Sequence, residues 1–184
     1  MWIKWIIVFV LSMPAWGFRL TQDFTSGFYW QTLPIKITVV DPVPSRKALM
    51  EEISKTAIAE WEEESGLSLW DYTESGATPA STNIIRWSDN FAAETKMDPQ
   101  TVLAVAVRYT DGPYFAKTEI ISNGAHPLNE SPTHLRTTIT HELGHTMGVD
   151  HSEDPSAVMA PSLQTYYMGL QTDDVQGIRA AQEE

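Results

Sequence analysis

The chain has no cysteine among its 184 residues. That absence excludes disulfides, thiolate metal sites and a thiol nucleophile. Basic residues are also scarce: 12 Lys and Arg face 24 Asp and Glu, a formal net charge of −12. Phosphate backbones are held by clustered cations, so nucleic acid is not expected as a partner. The apolar run near the N-terminus, Trp5 to Leu11, is shorter than the ~20 residues that span a bilayer. It follows Lys4, ends at Pro14 and precedes Ala15-Trp16-Gly17. One cation, a short apolar stretch and small residues where a signal peptidase reads make a secretory leader.

Residues 1–17 are therefore expected to be removed, leaving a domain of residues 18–184. That chain holds 167 residues, with 11 cations against 24 acids once Lys4 is lost, a net −13. The expectation is an exported monomer, extracellular or periplasmic, with no stable membrane insertion after cleavage. Without disulfides its stability must come from packing, bound ions or both.

A hydrophobic fraction of 42% supplies a core. Ile35 to Val40 alternates and is rich in β-branched residues, so it predicts a strand. Ser45 is placed to cap a helix running to about Glu64, with Leu49, Ile53, Ala57 and Trp61 on one face and Gly66 as its stop. Strands are expected at Leu67–Tyr72 and Asn83–Ser88, flanking a polar loop from Glu74 to Ser81. Val102 to Tyr109 is almost wholly apolar and predicts a strand buried on both faces. After the turn signal Asp111-Gly112-Pro113, Tyr114 to Ser122 reads as a further strand. Ser131-Pro132 opens a helix to about Met147, and Thr172 caps a last one with Asp173 and Asp174 in its first turn. The fold class is α/β (α+β): one twisted mixed sheet of about five strands with three helices.

The chemistry lies in His141-Glu142-Leu143-Gly144-His145-Thr146-Met147-Gly148-Val149-Asp150-His151. Two histidines four apart sit one turn above each other, so their rings can converge on one ion at ~2.0–2.1 Å. Glu142 is rotated ~100° from His141 and flanks such an ion rather than binding it. Gly148 lets the chain leave the helix in a left-handed conformation, and His151 can then swing back as a third ligand. Three neutral imidazoles leave a zinc ion one open position, as catalytic sites do. Glu142 then stands where it can take a proton from water and pass it to a leaving amine.

This elongated motif resembles the metzincin metallopeptidases, whose three histidines bind zinc and whose glutamate is the general base. Ser156 to Pro161, eight residues beyond His151, looks like the family's Met-turn, with Met159 as the apolar floor beneath the ligands. Ser152 after the third histidine points to the matrixin branch, since astacins carry Glu and adamalysins Asp there. Pro161 stands where astacins and serralysins have a Tyr, while Leu170 to Ile178 is similar to the matrixin C-terminal helix and Trp61 suits its first helix.

The resemblance is strongest over residues 137–180. It implies a metzincin-like zinc-peptidase domain that binds one catalytic Zn2+ and hydrolyses a protein or peptide substrate with Glu142 as general base and acid. The other reading is a zinc-bound interaction module on the same scaffold that does not cut. A propeptide cysteine that caps the zinc has no counterpart here. Ligands for a second zinc are not found between Asp111 and His134, so His126 and His134 are read as polar surface residues, and Ca2+ stays open without support.

By the same resemblance, substrate should lie along an edge strand, expected at Tyr114–Ser122. Ser162 to Met168 should wall the pocket, with Leu163, Tyr166 and Tyr167 as lining candidates and a hydrophobic side chain as its preference. In matured matrixins a new N-terminal ammonium can pair with the last helix, which would bring Phe18 to Asp173 or Asp174.

Overall fold

A computed structural model describes residues 17–74, 83–162 and 168–183. Element order within them is α1 (Gln22–Thr25), β1 (Tyr29–Trp30), β2 (Ile35–Val40), α2 (Pro44–Ser65), β3 (Trp70–Tyr72), β4 (Asn83–Ser88), α3 (Phe91–Thr95), β5 (Ala104–Asp111), β6 (Tyr114–Asn123), a 3-10 turn (Pro127–Glu130), α4 (Pro132–Thr146) and α5 (Thr172–Glu183). The fold is the expected mixed α/β arrangement, with six strands where about five were anticipated. The additions are short: α1, β1, α3 and the 3-10 turn span two to five residues, too few for a periodic pattern to register. No helix among the described residues is long and apolar enough to cross a membrane.

β3, β2, β4 and β6 run parallel, and β5 returns antiparallel beside β6. β5 pairs with β6 along its whole length, so β1 and β4 share the opposite edge of β6. This corrects the edge assignment. Tyr114–Asn123 lies inside the sheet and Ala104–Asp111 is its rim. The physical reason is the tight connection at Asp111-Gly112-Pro113, which turns β5 back outside β6 as one arm of a hairpin. Nor is β5 buried on both faces: only Ala104 is fully covered, and Tyr109 is 45% exposed.

α2 and α4 cover one face of the sheet. Ile37, Val39, Ile85 and Ile120 meet Met50, Ala57 and Trp61 from α2 and Leu135, Ile139 and Leu143 from α4, all fully buried or nearly so. Each Ile, Val, Leu or Met among them contributes roughly 1.5–3 kcal/mol on leaving water. α2 starts at Pro44, two residues earlier than a cap at Ser45 would set it. Pro44 takes the first helical position, and Asp41, not Ser45, holds the entry by accepting Val43 N–H at 2.7 Å and Arg46 Nε–H at 2.7 Å. Gly66 ends α2 at φ 72° as anticipated. α5 includes Thr172 itself, so the residue before it is Gln171. The loop reading at Glu74–Ser81 falls almost entirely outside the described residues.

Candidate metal centre

α4 supplies two of the three histidines and its exit supplies the third. His141 and His145 face the same side, with ring centroids 4.6 Å apart. The helix ends at Thr146, and Gly148, at φ 94°, reverses the chain. His151 then returns to within 5.2 Å of the His141 ring and 5.0 Å of the His145 ring. One nitrogen from each ring lies within 4.8 Å of the others.

The tautomers follow from the partners. His141 Nδ1 lies 2.8 Å from the Val158 carbonyl oxygen, and His145 Nδ1 lies 2.7 Å from that of Val149. A carbonyl only accepts, so each Nδ1 carries the proton and each Nε2 keeps a lone pair for an ion. Burial holds both rings neutral at neutral pH. It pulls His141 down to about 4, against the Val158 carbonyl bond, and His145 down to about 3, helped by the neighbouring His141. Two neutral imidazoles with free Nε2 lone pairs, joined by a ring nitrogen of His151, fit a tetrahedral zinc ion with one position left open.

Glu142 is buried on the adjacent side of α4. Its carboxyl reaches the rim strand and accepts the Ala106 N–H; burial raises it to about 8, and that hydrogen bond acts the other way. The three histidines and Glu142 line one cleft of about 740 Å³ between β5 and α4. Thr137, Thr138, Val158, Ala160, Pro161 and Ser162 continue its wall. Leu163, Tyr166 and Tyr167 lie outside the described residues.

Met159 is fully buried and packs, with Trp61, against Gly144 between the two helical histidines. Its segment is pinned to α5 by Asp174, which accepts Val158 N–H and Met159 N–H at 2.9 Å each and Gln171 N–H at 2.7 Å. Asp173 accepts Phe18 N–H at 2.9 Å and the Ser152 hydroxyl. The two first-turn acids are thus buried anchors, beyond any dipole effect at the helix start. Neither His126 nor His134 joins the converging nitrogens of the triad, although His126 lines the same cleft. His126 is half-buried and structural: its Nδ1 accepts Leu128 N–H at 3.3 Å and its Nε2 faces the Gln100 carbonyl at 3.2 Å.

Several supporting residues were not anticipated. Trp30 Nε1 donates to the Thr146 carbonyl at 2.9 Å, and Trp70 Nε1 to the Thr146 hydroxyl at 3.2 Å. With Trp61 Nε1 on the Thr140 carbonyl at 2.9 Å, three indoles brace α4 from behind. Arg108 of β5 also reaches this helix, donating to the His145 carbonyl. Its only signal in the sequence is a lone cation at the end of an apolar run.

The matrixin profile of peptidase family M10 matches residues 29–181. Shorter stretches are similar to individual relatives. The Arabidopsis thaliana metalloendoproteinase 1-MMP is 40% identical over 65 residues, 34% of this chain and 18% of that protein. Human matrix metalloproteinase-16 is 44% identical over 54 residues, 28% of this chain and 9% of that protein. The chicken (Gallus gallus) 72 kDa type IV collagenase is 51% identical over 45 residues, 23% of this chain and 7% of that protein. The chain thus aligns with less than a fifth of the length of any of these three. The family profile, in contrast, spans most of the chain and encloses all three histidines, so the protein belongs to the matrixin family of metallopeptidases.

Proposed function

We propose that this matrixin is an exported, monomeric, zinc-dependent endopeptidase acting on protein or peptide substrates. The observation that carries the reading is the convergence of three histidine ring nitrogens, two of them Nε2 atoms freed by carbonyl partners on Nδ1, beside a buried carboxyl in one open cleft. His141, His145 and His151 hold the ion, and Met159 packs under them. When bound, zinc supplies Lewis acidity, lowering the pKa of water and polarising a carbonyl. Glu142 takes the proton from the attacking water and delivers it to the amide nitrogen as the C–N bond breaks, so the products are a carboxylic acid and an amine. No covalent enzyme intermediate is required. The extended substrate adds to the free edge of Ala104–Asp111 through backbone hydrogen bonds. Residues 1–17 act as the export leader, and Phe18 becomes the first residue of the working enzyme.

The test combines metal analysis with peptide-library cleavage, with and without a chelator, on wild type and Glu142→Gln. Wild type should carry one zinc and cut; the variant should keep zinc and lose cleavage by several orders of magnitude. A wild type that holds one zinc and cuts nothing supports the interaction-module reading instead.

A further inference from the structure

Among the described residues lining the cleft, Arg108 is the single arginine or lysine, and its charge is already committed. Its Nε and Nη2 each donate to an oxygen of Asp23 at 2.8 Å, a two-pronged pairing that matches the guanidinium fork. Its remaining arm, Nη1, donates to the carbonyl of His145. The guanidinium lies over the Phe24 and Phe115 rings, 5.6 and 5.4 Å from their centroids, and its side chain is 12% exposed. Three of its five N–H donors are thus used within the fold, and the fork that would grip a substrate carboxylate is taken by Asp23.

These contacts converge on the short turn between the second and third histidines. The His145 carbonyl belongs to the last turn of α4, where helical N–H donors run out, and it also receives Gly148 N–H at 3.1 Å. Phe24 packs directly on Gly148, leaving no room for a side chain there. Thr21 N–H donates to the Gly148 carbonyl at 2.8 Å, and Asp150 N–H to the Arg19 carbonyl at 2.8 Å. The chain from Arg19 to Phe24 is thus laced to residues 148–150. Arg108 fastens that lacing to β5 on one side and to α4 on the other.

Resting on the zinc-peptidase reading above, the geometry points to Arg108 and Asp23 as positioning residues of the metal centre. The pair fixes the His145–His151 turn relative to the rim strand, so that ligand geometry and substrate track are set together. Arg108 touches neither substrate nor the ligand rings; it acts through the His145 carbonyl and through Asp23.

The experiment measures the rate at which intact, zinc-loaded enzyme surrenders its metal to a chelator, alongside kcat, KM and thermal midpoint. The variants are Arg108→Met, Arg108→Lys and Asp23→Asn. Arg46→Met serves as control, because it breaks another ion pair with a buried carboxylate, Asp41, on the far end of α2. Arg108→Met should release zinc about tenfold faster, the lower end of what outer-shell partners contribute, with kcat falling more than KM changes. Arg108→Lys keeps the charge and loses the fork, so it should recover the thermal midpoint and still shed zinc quickly. Asp23→Asn should fall between them.

Arg46→Met should lose stability and keep the wild-type release rate. Should Arg108→Met not fold, the Lys and Asn variants decide alone. Folded variants that release zinc as slowly as wild type overturn the inference and leave the peptidase reading intact. Equal acceleration by Arg46→Met overturns it as well, because the effect would then be general loosening. A wild type that binds no zinc overturns both.

Discussion

Gly144 lies between the two helical histidines, and a methyl group there has no free space. An ideal Cβ would fall 2.5 Å from Met159 Sδ, 3.1 Å from Met159 Cε and 3.1 Å from Trp61 Cζ2. Two effects compete in Gly144→Ala. Alanine favours a helix interior over glycine by roughly 0.8–1 kcal/mol. Forcing a methyl into a filled core costs ~1–3 kcal/mol. The thioether end is flexible, but Met159 and Trp61 are both fully buried, and the indole is held on the Thr140 carbonyl. The clash should therefore win narrowly, with a net loss of about 1 kcal/mol and a thermal midpoint ~2–4 °C lower for a domain of this size.

A net effect that small is ambiguous alone, so the decisive measurement is a double-mutant cycle with Met159→Ala. That change by itself should cost ~2–5 kcal/mol, as a buried methionine leaves a cavity. In its background the obstructing sulfur is gone, and Gly144→Ala should become neutral or stabilising. The coupling should then be about 1–3 kcal/mol in the direction of relief. Urea unfolding of chelator-treated protein keeps metal linkage out of the comparison. Losses that add within ~0.5 kcal/mol would show that Met159 does not press on the ligand helix.

Two further outcomes are expected. In the zinc-free protein, the unfolded histidines protonate below their ordinary 6.5 while burial keeps folded His141 and His145 neutral to about 4 and about 3; each imidazole withdraws on the order of 2 kcal/mol of stability by pH 5. Glu142 works in the opposite sense, because its folded carboxyl takes a proton below about 8 and the unfolded one only near 4.5, so stability rises as pH falls through that window. Metal-free wild type should peak near pH 6.5, whereas Glu142→Gln should be flat above it and fall about twice as steeply below; superimposable curves from urea midpoints would contradict the burial argument. Separately, Asp173→Asn should destabilise a chain beginning at Phe18 by about 1 kcal/mol more than one retaining Gly17, since a charge-assisted hydrogen bond is roughly twice as strong as a neutral one; equal losses in the two chains rule out ammonium pairing at Asp173.

What could be read in advance divides by how local its cause is. His141, Glu142, His145, Gly148 and His151 lie within eleven consecutive residues, and their placement follows from helical period plus one left-handed glycine. The extents of α2 and α4 are similarly local, set by Pro44, Gly66, Pro132 and Gly148. The rim strand was misread because an apolar run reports that a strand touches a core and not where it stands in the sheet. Its place was decided by pairing with β6 through the Asp111-Gly112-Pro113 turn. Asp173 and Asp174 carry the same sequence signal whether they soothe a helix dipole or, as here, anchor the Met159 segment and the chain around Phe18 from the core.

The three histidines are therefore local, whereas several of the contacts that fix their surroundings are not. His141 is oriented by a carbonyl 17 positions away, and the His145 carbonyl is held by an arginine 37 positions away that itself pairs with an aspartate 85 positions distant. Such partners share no period and no spacing with the histidines. Two of these contacts end on backbone carbonyls, which every residue has, so no residue type marks the receiving end. On the positioning proposal, the motif can stay intact while changes at Arg108 or Asp23, far from His141-Glu142 in the chain, loosen its hold on zinc. Zinc retention in the Arg108 and Asp23 variants is accordingly the measurement that tests whether these distant contacts support the site.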